Sequence, residues 1–483
     1  MKASSVVSLV SLRRPIAPLL AFAAIALAGC ANTQDRGFLD QINNDTRSIA
    51  GGEAVLAETS SPISGVVGEI DHTLGKPLNV DAAVRLTLLN SPAFQALLAQ
   101  GVADDAQAQQ QGRMPNPLLT LDRVRGPLEL ELGRMLTFGL IDVLGLPQRQ
   151  RIAAAEQAQG RARLAGDVVE HLTRVRQAWV NAVAAQQSLR YAQQVADAAE
   201  ASAELARRML AVGNFTKLQR ARQQAFYADA TAQMATASHA ATATRELLIR
   251  QLGLTEVQAL RLVLPDRLPD LPVTPRSPEQ VNESARLTRL DIRAARAAAE
   301  SAAARQGLDR LPSFGDIELS IVRNTAVDRV DDVRSTKRGV EVAVRLPVFD
   351  WGELRRSARS AQTLAAVQRL EATLRAAAPS LRESYSAYRT AYDLAKHYRD
   401  EIVPLRKQIS EENTLRYNGM LIGVFELLAD TREQIASVIA AINAEQQFWL
   451  ADANLQATLL GRPLAGAMIA AGSAQAGGND GGH

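Results

Sequence analysis

Apolar positions recur every three or four residues along most of the chain. Val168, Leu172, Val175, Trp179 and Val183 follow one another at steps of 4, 3, 4 and 4, the spacing that lines one face of an α-helix. Leu205, Met209 and Val212 carry the same seam further. Leu374, Leu381, Tyr385, Tyr388 and Tyr392 form a second seam, continued by Tyr398, Ile402, Leu405 and Ile409. Pro379 and Pro404 are expected to bend that second helix. A helix of roughly 65 residues is about 95 Å long, more than an ordinary globular domain needs.

These elements occur twice in the same order. The first series is a helix over 81–108, a strand pair within 118–138, a long helix over about 148–212, a turn at Gly213-Asn214, and a returning helix that ends at Leu252-Gly253. The second is a helix over 278–308, strands near 315–322 and 338–346, a long helix over about 352–417, a turn at Asn418-Gly419, and a return that ends at Leu460-Gly461. Matching landmarks are separated by nearly one spacing, so an internal duplication is the simplest account. The divisions expected are a leader over 1–29, an arm over 30–76 without clear periodicity, a first repeat over 77–262, a linker over 263–278, a second repeat over 279–464 and a flexible tail over 465–483. The linker carries Pro265, Pro269, Pro272, Pro275 and Pro278, so it reads as extended. The arm is expected to be extended or only partly ordered.

The strands alternate with period two. Leu128, Leu130 and Leu132 alternate with Glu129 and Glu131; Ile317, Leu319 and Ile321 with Asp316, Glu318 and Ser320; Val340, Val342, Val344 and Leu346 with Glu341, Ala343 and Arg345. Each strand therefore has one apolar and one polar face. A soluble sheet packed on helices reads the same way strand by strand. Four strands cannot close a barrel, and an open edge cannot face lipid. If the apolar face meets lipid, several chains must pool their strands.

Composition narrows the classes. Lys and Arg number 54 against 51 Asp and Glu, but Lys2, Arg13 and Arg14 lie in the leader. The rest of the chain is neutral, which removes the main support for a nucleic-acid partner. The leader has those charges, an apolar stretch from Pro15 to Leu27, and then Leu27-Ala28-Gly29-Cys30. This is an export signal of the bacterial lipoprotein type, with Cys30 taking the lipid and becoming the new N-terminus. Cys30 is the one cysteine, so disulfides within the chain are excluded. Residue 31 is Ala rather than the Asp that holds lipoproteins at the inner membrane, which points to the outer membrane.

Catalysis finds no support. His72, His171, His239, His397 and His483 are scattered, with no partner at metal-ligand spacing and no phosphate-binding loop. Met209 and Met420 lie near the helical turns and read as packing residues rather than thioether ligands.

With these elements in order, the chain resembles the TolC family of outer-membrane efflux proteins, in its lipidated subgroup. The residues that carry the resemblance are Leu78-Asn79-Val80-Asp81-Ala82-Ala83-Val84-Arg85-Leu86, Asn90-Ser91-Pro92, Arg289-Leu290-Asp291-Ile292-Arg293-Ala294-Ala295, Leu346-Pro347-Val348-Phe349-Asp350-Trp351-Gly352, Tyr417-Asn418-Gly419, Phe425-Glu426-Leu427-Leu428 and the two Leu-Gly pairs. They span about residues 78–462; their order and duplication are specific, no single motif is.

The resemblance implies a mainly α protein with a small β part. Three copies would each give four strands to one 12-stranded transmembrane barrel, above a hollow coiled-coil tunnel of helices in the periplasm. It implies a homotrimer docked by its tips on a periplasmic adaptor and an inner-membrane pump of the RND type, with no cofactor beyond the lipid on Cys30. Gly213, Asn214, Gly419 and Met420 fall at the adaptor-docking tips, where Gly213 and Gly419 are expected to supply the left-handed helix cap. In the family, acidic residues just after the second turn ring the periplasmic entrance. Glu426 matches the first; the second position is Ala429 here, with Asp430 one residue on. Both acids would also stabilise a helix N-terminus without any gating role. Barrel-lumen candidates are Glu129, Glu131, Asp316, Glu318, Glu341 and Arg345. The resulting expectation is a passive exit duct for tripartite efflux, lipid-anchored at the outer membrane. The alternatives are a type I protein-secretion duct, a periplasmic adaptor, or a structural coiled-coil lipoprotein. An adaptor would show one hairpin flanked by β-rich segments, and a structural coiled coil would leave the strands unexplained.

Overall fold

The computed structural model describes residues 34–56, 64–281, 289–308, 317–328, 331, 333–346 and 348–463. Cys30, Asp316 and the tail lie outside the described residues. Sixteen elements follow in order: α1 (Gln34–Ala50), α2 (Ser64–Leu74), α3 (Val80–Asn90), α4 (Pro92–Gln111), β1 (Leu118–Arg125), β2 (Glu129–Gly139), α5 (Leu140–Ala211), α6 (Lys217–Leu252), α7 (Glu256–Leu260), α8 (Leu290–Leu308), β3 (Ile317–Asp328), β4 (Arg334–Val344), α9 (Glu353–His397), a π-helical turn (Tyr398–Ile402), α10 (Val403–Asn418) and α11 (Val424–Leu459).

The described residues of the arm are mostly helical rather than extended. In α1, Phe38, Ile42 and Ile49 form one sparse apolar stripe, and all three are buried in a cluster with Val168, Val169 and Leu172 of α5. The stretch is otherwise so polar that three apolar residues hide the helical period. Tertiary bonds fix it: the Asn43 side chain exchanges hydrogen bonds with Ala54 backbone at 2.8 and 3.2 Å, and Arg293 pairs with Asp45 at 2.7 Å. In α2, Ile70 and Leu74 are buried against Val175, Trp179 and Leu78.

The helix expected over 81–108 is two helices. Pro92 disfavours helical backbone at the residue before it, and Ser91 sits at ψ 114°, capping α3 and α4 at once. The long helix α5 starts at Leu140, not near 148, and runs 72 residues through Pro147, a length of about 108 Å. Its seam from Val168 to Val183 is buried throughout, and the Trp179 indole N–H donates to Leu78 O at 2.7 Å. Near the turn the seam leaves the core: Leu205 and Val212 are exposed.

In the second half, Pro379 lies inside an unbroken α9, whereas Pro404 follows directly on the π-helical turn. Proline has no N–H to donate and its ring crowds the carbonyl four residues back, so an extra residue is looped out just upstream. Leu381, Tyr388 and Tyr392 are buried, while Leu374 and Leu405 are exposed. The tyrosines also hold the linker: the Tyr392 hydroxyl donates to Pro272 O at 3.0 Å, Tyr385 donates to Arg276 O at 3.2 Å, and Tyr388 accepts from Arg276 N–H at 3.2 Å.

The two halves close alike. Gly253 ends α6 with φ +67°, and a Cβ there would come within 2.7 Å of Pro92 Cδ and Ser91 Cα. Asn90 donates to Gly253 O at 2.9 Å. In the second half Gly461 has φ +81° and packs on Asp291, with Leu290 N–H donating to Leu460 O at 3.0 Å. Each Leu-Gly pair thus packs where the short helix of its own half begins, which accounts for two of the motifs quoted above.

His171 on α5 stacks on Phe94 of α4 at 5.6 Å, and its Nε2 is buried with no hydrogen-bond partner. Burial, with the Arg174 charge second, holds its pKa below the usual 6.5. The depressed pKa makes neutral His171 the folded form, so its contribution is fully present above pH 6.5 and is lost as pH falls below that value. The expected outcome is that His171→Leu loses less thermal stability than the wild type between about pH 7.5 and pH 5, measured as Tm at both values; equal losses would assign the acid sensitivity elsewhere.

Candidate channel wall and entrance

The four strands form one antiparallel sheet in the order β1-β2-β3-β4. Directly paired residues share a face. Glu131 is opposite Val124 and Ala326, Gly133 opposite Asp122 and Asn324, and Thr137 opposite Leu118 and Ser320, which in turn faces Glu341. The register therefore gathers Asp122, Glu129, Glu131, Glu318, Asp328 and Glu341 on one face, together with Lys337, and alternation gives Arg345 to it as well. Thr137 and Ser320 hydroxyls hydrogen-bond across this face at 2.8 Å, both buried. Gly133 leaves the space that the Asp122 side chain fills.

The opposite face carries Leu119, Leu136, Ile321 and Val340 in one cross-strand row, and Phe138, Leu319 and Val342 in the next. The sequence-predicted wall residues Glu129, Glu131, Glu318 and Glu341 are thus brought together. Asp122 and Asp328 join them although sequence alternation was too short to reveal either one. No helix among the described residues is long and apolar enough to cross a membrane, a statement that does not bear on strands.

The outer strands β1 and β4 each have an unpaired edge, and every residue of β4 is exposed. Unpaired strand edges are templates for another strand. Because four strands alternate in direction, β4 of one copy placed beside β1 of another would run antiparallel to it.

At the other extreme lie the two helical turns. After α5, Asn214 N–H donates to Met209 O and Gly213 N–H to Leu210 O, with Gly213 at φ +80°. This is a Schellman cap with glycine in the left-handed position. Thr216 and Gln219 then form a reciprocal capping box that opens α6. The second turn corrects the expectation for Gly419. Its φ is −79°, and the left-handed residue is Met420 at φ 60°. Leu421 N–H donates to Arg416 O and Met420 N–H to Tyr417 O, the same cap shifted by one residue. The sequence put its glycine one position too early, so a methionine carries the strain. Met420 and Leu421 are both largely exposed.

Glu426 is exposed in the first turn of α11, whose cap Gly423 provides no side-chain acceptor. Its N–H donates to Gly423 O at 3.2 Å, while among the described residues its side chain makes no hydrogen bond or ion pair. Asp430, one turn further on, is buried, and its Oδ2 has no partner. Two acids one turn apart thus have opposite surroundings. Beyond them, Arg432 stacks over Phe226 of α6 at 4.5 Å, and Ile435 packs on Val195, Ala199 and Ala230, locking the second hairpin onto the first. On α5 close to the first turn, hydrogen bonds from Arg207 and Arg208 hold Glu204 down to about 2. No group of His, Cys, Asp or Glu among the described residues could hold a metal.

An open amphipathic sheet carried on two very long helical hairpins is a fold that this chain shares with solved outer-membrane channels. Residues 281–461 match the family model described as outer membrane efflux protein. Solved structures share the fold over most of the chain. The outer membrane channel CmeC of Campylobacter jejuni superposes with TM-score 0.68 at 15% identity, covering 85% of this chain and 91% of that one. The outer membrane protein VceC of Vibrio cholerae gives 0.65 at 18%, covering 82% and 97%. A membrane protein of Pseudomonas aeruginosa gives 0.66 at 22%, covering 79% and 93%. No curated protein sequence matches the chain. The resemblance to TolC-family channels read from the sequence therefore stands.

A non-glycine residue in the left-handed region costs about 1–2 kcal/mol. Met420→Gly is expected to stabilise the second turn by about 1 kcal/mol, and Gly213→Ala to destabilise the first by a similar amount. Amide hydrogen exchange at Leu421 and Asn214 reads each turn locally; changes of the same sign in both would contradict this geometry.

Proposed function

We propose that the chain is the outer-membrane exit duct of a tripartite efflux system. Three copies each contribute four strands to a closed 12-stranded barrel, with the acidic face lining the lumen and the apolar face in lipid. The hairpins extend into the periplasm, where the tips around Gly213, Asn214, Gly419 and Met420 dock on an adaptor that links the duct to an RND-type pump. A lipid on Cys30 anchors the mature N-terminus in the outer membrane. The duct is passive and carries no cofactor.

One observation carries the reading: within a single chain the sheet is polar on one face, apolar on the other and unpaired at both edges. Lipid forbids an open edge, and pooled strands remove it while giving each face its solvent. The exposed apolar residues Leu205, Val212, Leu405, Leu415 and Leu421 near the tips support further helix contacts between copies or with an adaptor. Exposed, unpaired Glu426 supports an acidic ring at the entrance. Asp430, buried within its own chain, is the weaker candidate for that ring.

Planar-bilayer recordings of the mature lipoprotein under a salt gradient test the proposal. Small, cation-selective openings are expected, and Glu426→Ala should enlarge them by about twofold or more, with Asp430→Asn doing less. Absence of conductance from correctly folded wild type and variant would overturn the channel reading.

A further inference from the structure

The apolar face of the sheet changes character towards the hairpin turns. Ile317 and Val344 form its row nearest the helices, Phe138, Leu319 and Val342 the next, and Leu119, Leu136, Ile321 and Val340 the third. The fourth row is Leu121, Arg134, Arg323 and Arg338. Arg123 lies in the row above, beside Leu132, Thr325 and Thr336, and Arg125 and Arg334 lie in the row above that. All six arginines are exposed, and none forms an ion pair among the described residues. The six strand carboxylates all lie on the opposite face.

Like charges directly opposite on neighbouring strands repel. Three arginines in consecutive register, with side-chain bases about 5 Å apart, therefore form a cluster that an external anion would stabilise. Guanidinium groups pair bidentately with phosphate. Six residues separate Ile317 from Arg323, about 20 Å along the strand and about 15 Å along the membrane normal at the usual strand tilt. Exposed Leu346, Phe349 and Trp351 follow β4 at the helix end and extend the apolar band downwards, Phe349 and Trp351 as its aromatic border. The band of such barrels is about 25 Å tall, so the arginine row falls at its outer boundary, where lipid headgroups begin.

We propose that Arg134, Arg323 and Arg338 form a binding site for the phosphate-bearing headgroups of outer-leaflet lipid, with Arg123, Arg125 and Arg334 as a second tier. The proposal rests on the membrane-spanning orientation proposed above. The occupant is a phosphorylated lipid rather than free phosphate, because the arginine row is continuous with the apolar rows that would receive its acyl chains. Each copy brings one cluster, and Leu121 separates it from the arginines of the next copy.

The test uses the full-length lipoprotein in mild detergent. Retention of bisphosphorylated lipid A and of its enzymatically dephosphorylated form is measured by native mass spectrometry. The wild type is expected to retain the phosphorylated form about tenfold better. The variant with Arg134→Gln, Arg323→Gln and Arg338→Gln should lose that preference, and the corresponding Lys variant should recover part of it through charge alone. The single variant Arg323→Gln, which changes one exposed side chain, should show a smaller loss in the same direction. Bilayer conductance in neutral lipid is recorded on each sample. Wild type that conducts yet holds both lipid forms equally would overturn the lipid site while leaving the channel intact. Complete displacement of the phosphorylated lipid from the wild type by millimolar inorganic phosphate would overturn the lipid as occupant. Folded protein that neither conducts nor prefers phosphorylated lipid would remove both readings together.

Discussion

The unpaired edges of the four-stranded sheet are the constraint on which the rest depends. Backbone N–H and C=O groups must find partners, and lipid provides none. If the four strands cross a membrane, as proposed, the chain cannot satisfy its own edges, and pooling strands between copies follows before any side chain is considered. Antiparallel order makes the solution available: an even number of strands leaves β1 and β4 with opposite directions. In the proposed assembly each copy then adds to the next in the same way until a ring is closed.

That requirement explains features of the helices that look wasteful in one chain. The hairpins bury strong seams only along their middle stretches, where α5 carries α1, α4 and α11 against Val168, Leu172 and Trp179. Towards the turns the apolar side chains are left in solvent, and α10 buries none of its residues. A helix with such a face is stable only beside others. The small, Ala-rich surfaces suit close helix contact. The strained cap at Met420 fits the same picture, since an exposed methionine held in left-handed backbone gives a turn a fixed apolar point.

Most of the fold was legible in the sequence, for identifiable reasons. Long helices announce themselves through many repeats of a seam, and the duplication doubled each signal. What stayed hidden was local or tertiary. The arm looked irregular because Phe38, Ile42 and Ile49 gain their meaning only from α5. The break at Ser91 was written in Pro92 but masked by apolar residues that continue on both sides. The left-handed residue at the second turn could not be placed, because Gly419 was the natural candidate and the hydrogen-bond register is set by where α10 ends. Of the site, Glu129, Glu131, Glu318 and Glu341 were readable by alternation. Asp122, Asp328 and the arginine row were not, because each strand offers only one or two of them and their alignment exists only in the register.

Charge segregation is the detail that binds these levels together. A soluble sheet resting on helices has no reason to sort acids to one face and arginines to the other, since mixed signs on an exposed face lower repulsion. Here the sorting is nearly complete, with only Lys337 and Arg345 among the acids. Two different media on the two faces, as the proposed barrel would provide, account for it. Water in a duct tolerates carboxylates and lets them attract cations, while lipid tolerates charge only at the depth of its headgroups, and those headgroups are anionic. In the proposed orientation arginine is favoured at one depth and penalised everywhere else on that face, so a row that bound lipid phosphate would also set how deep the sheet sits.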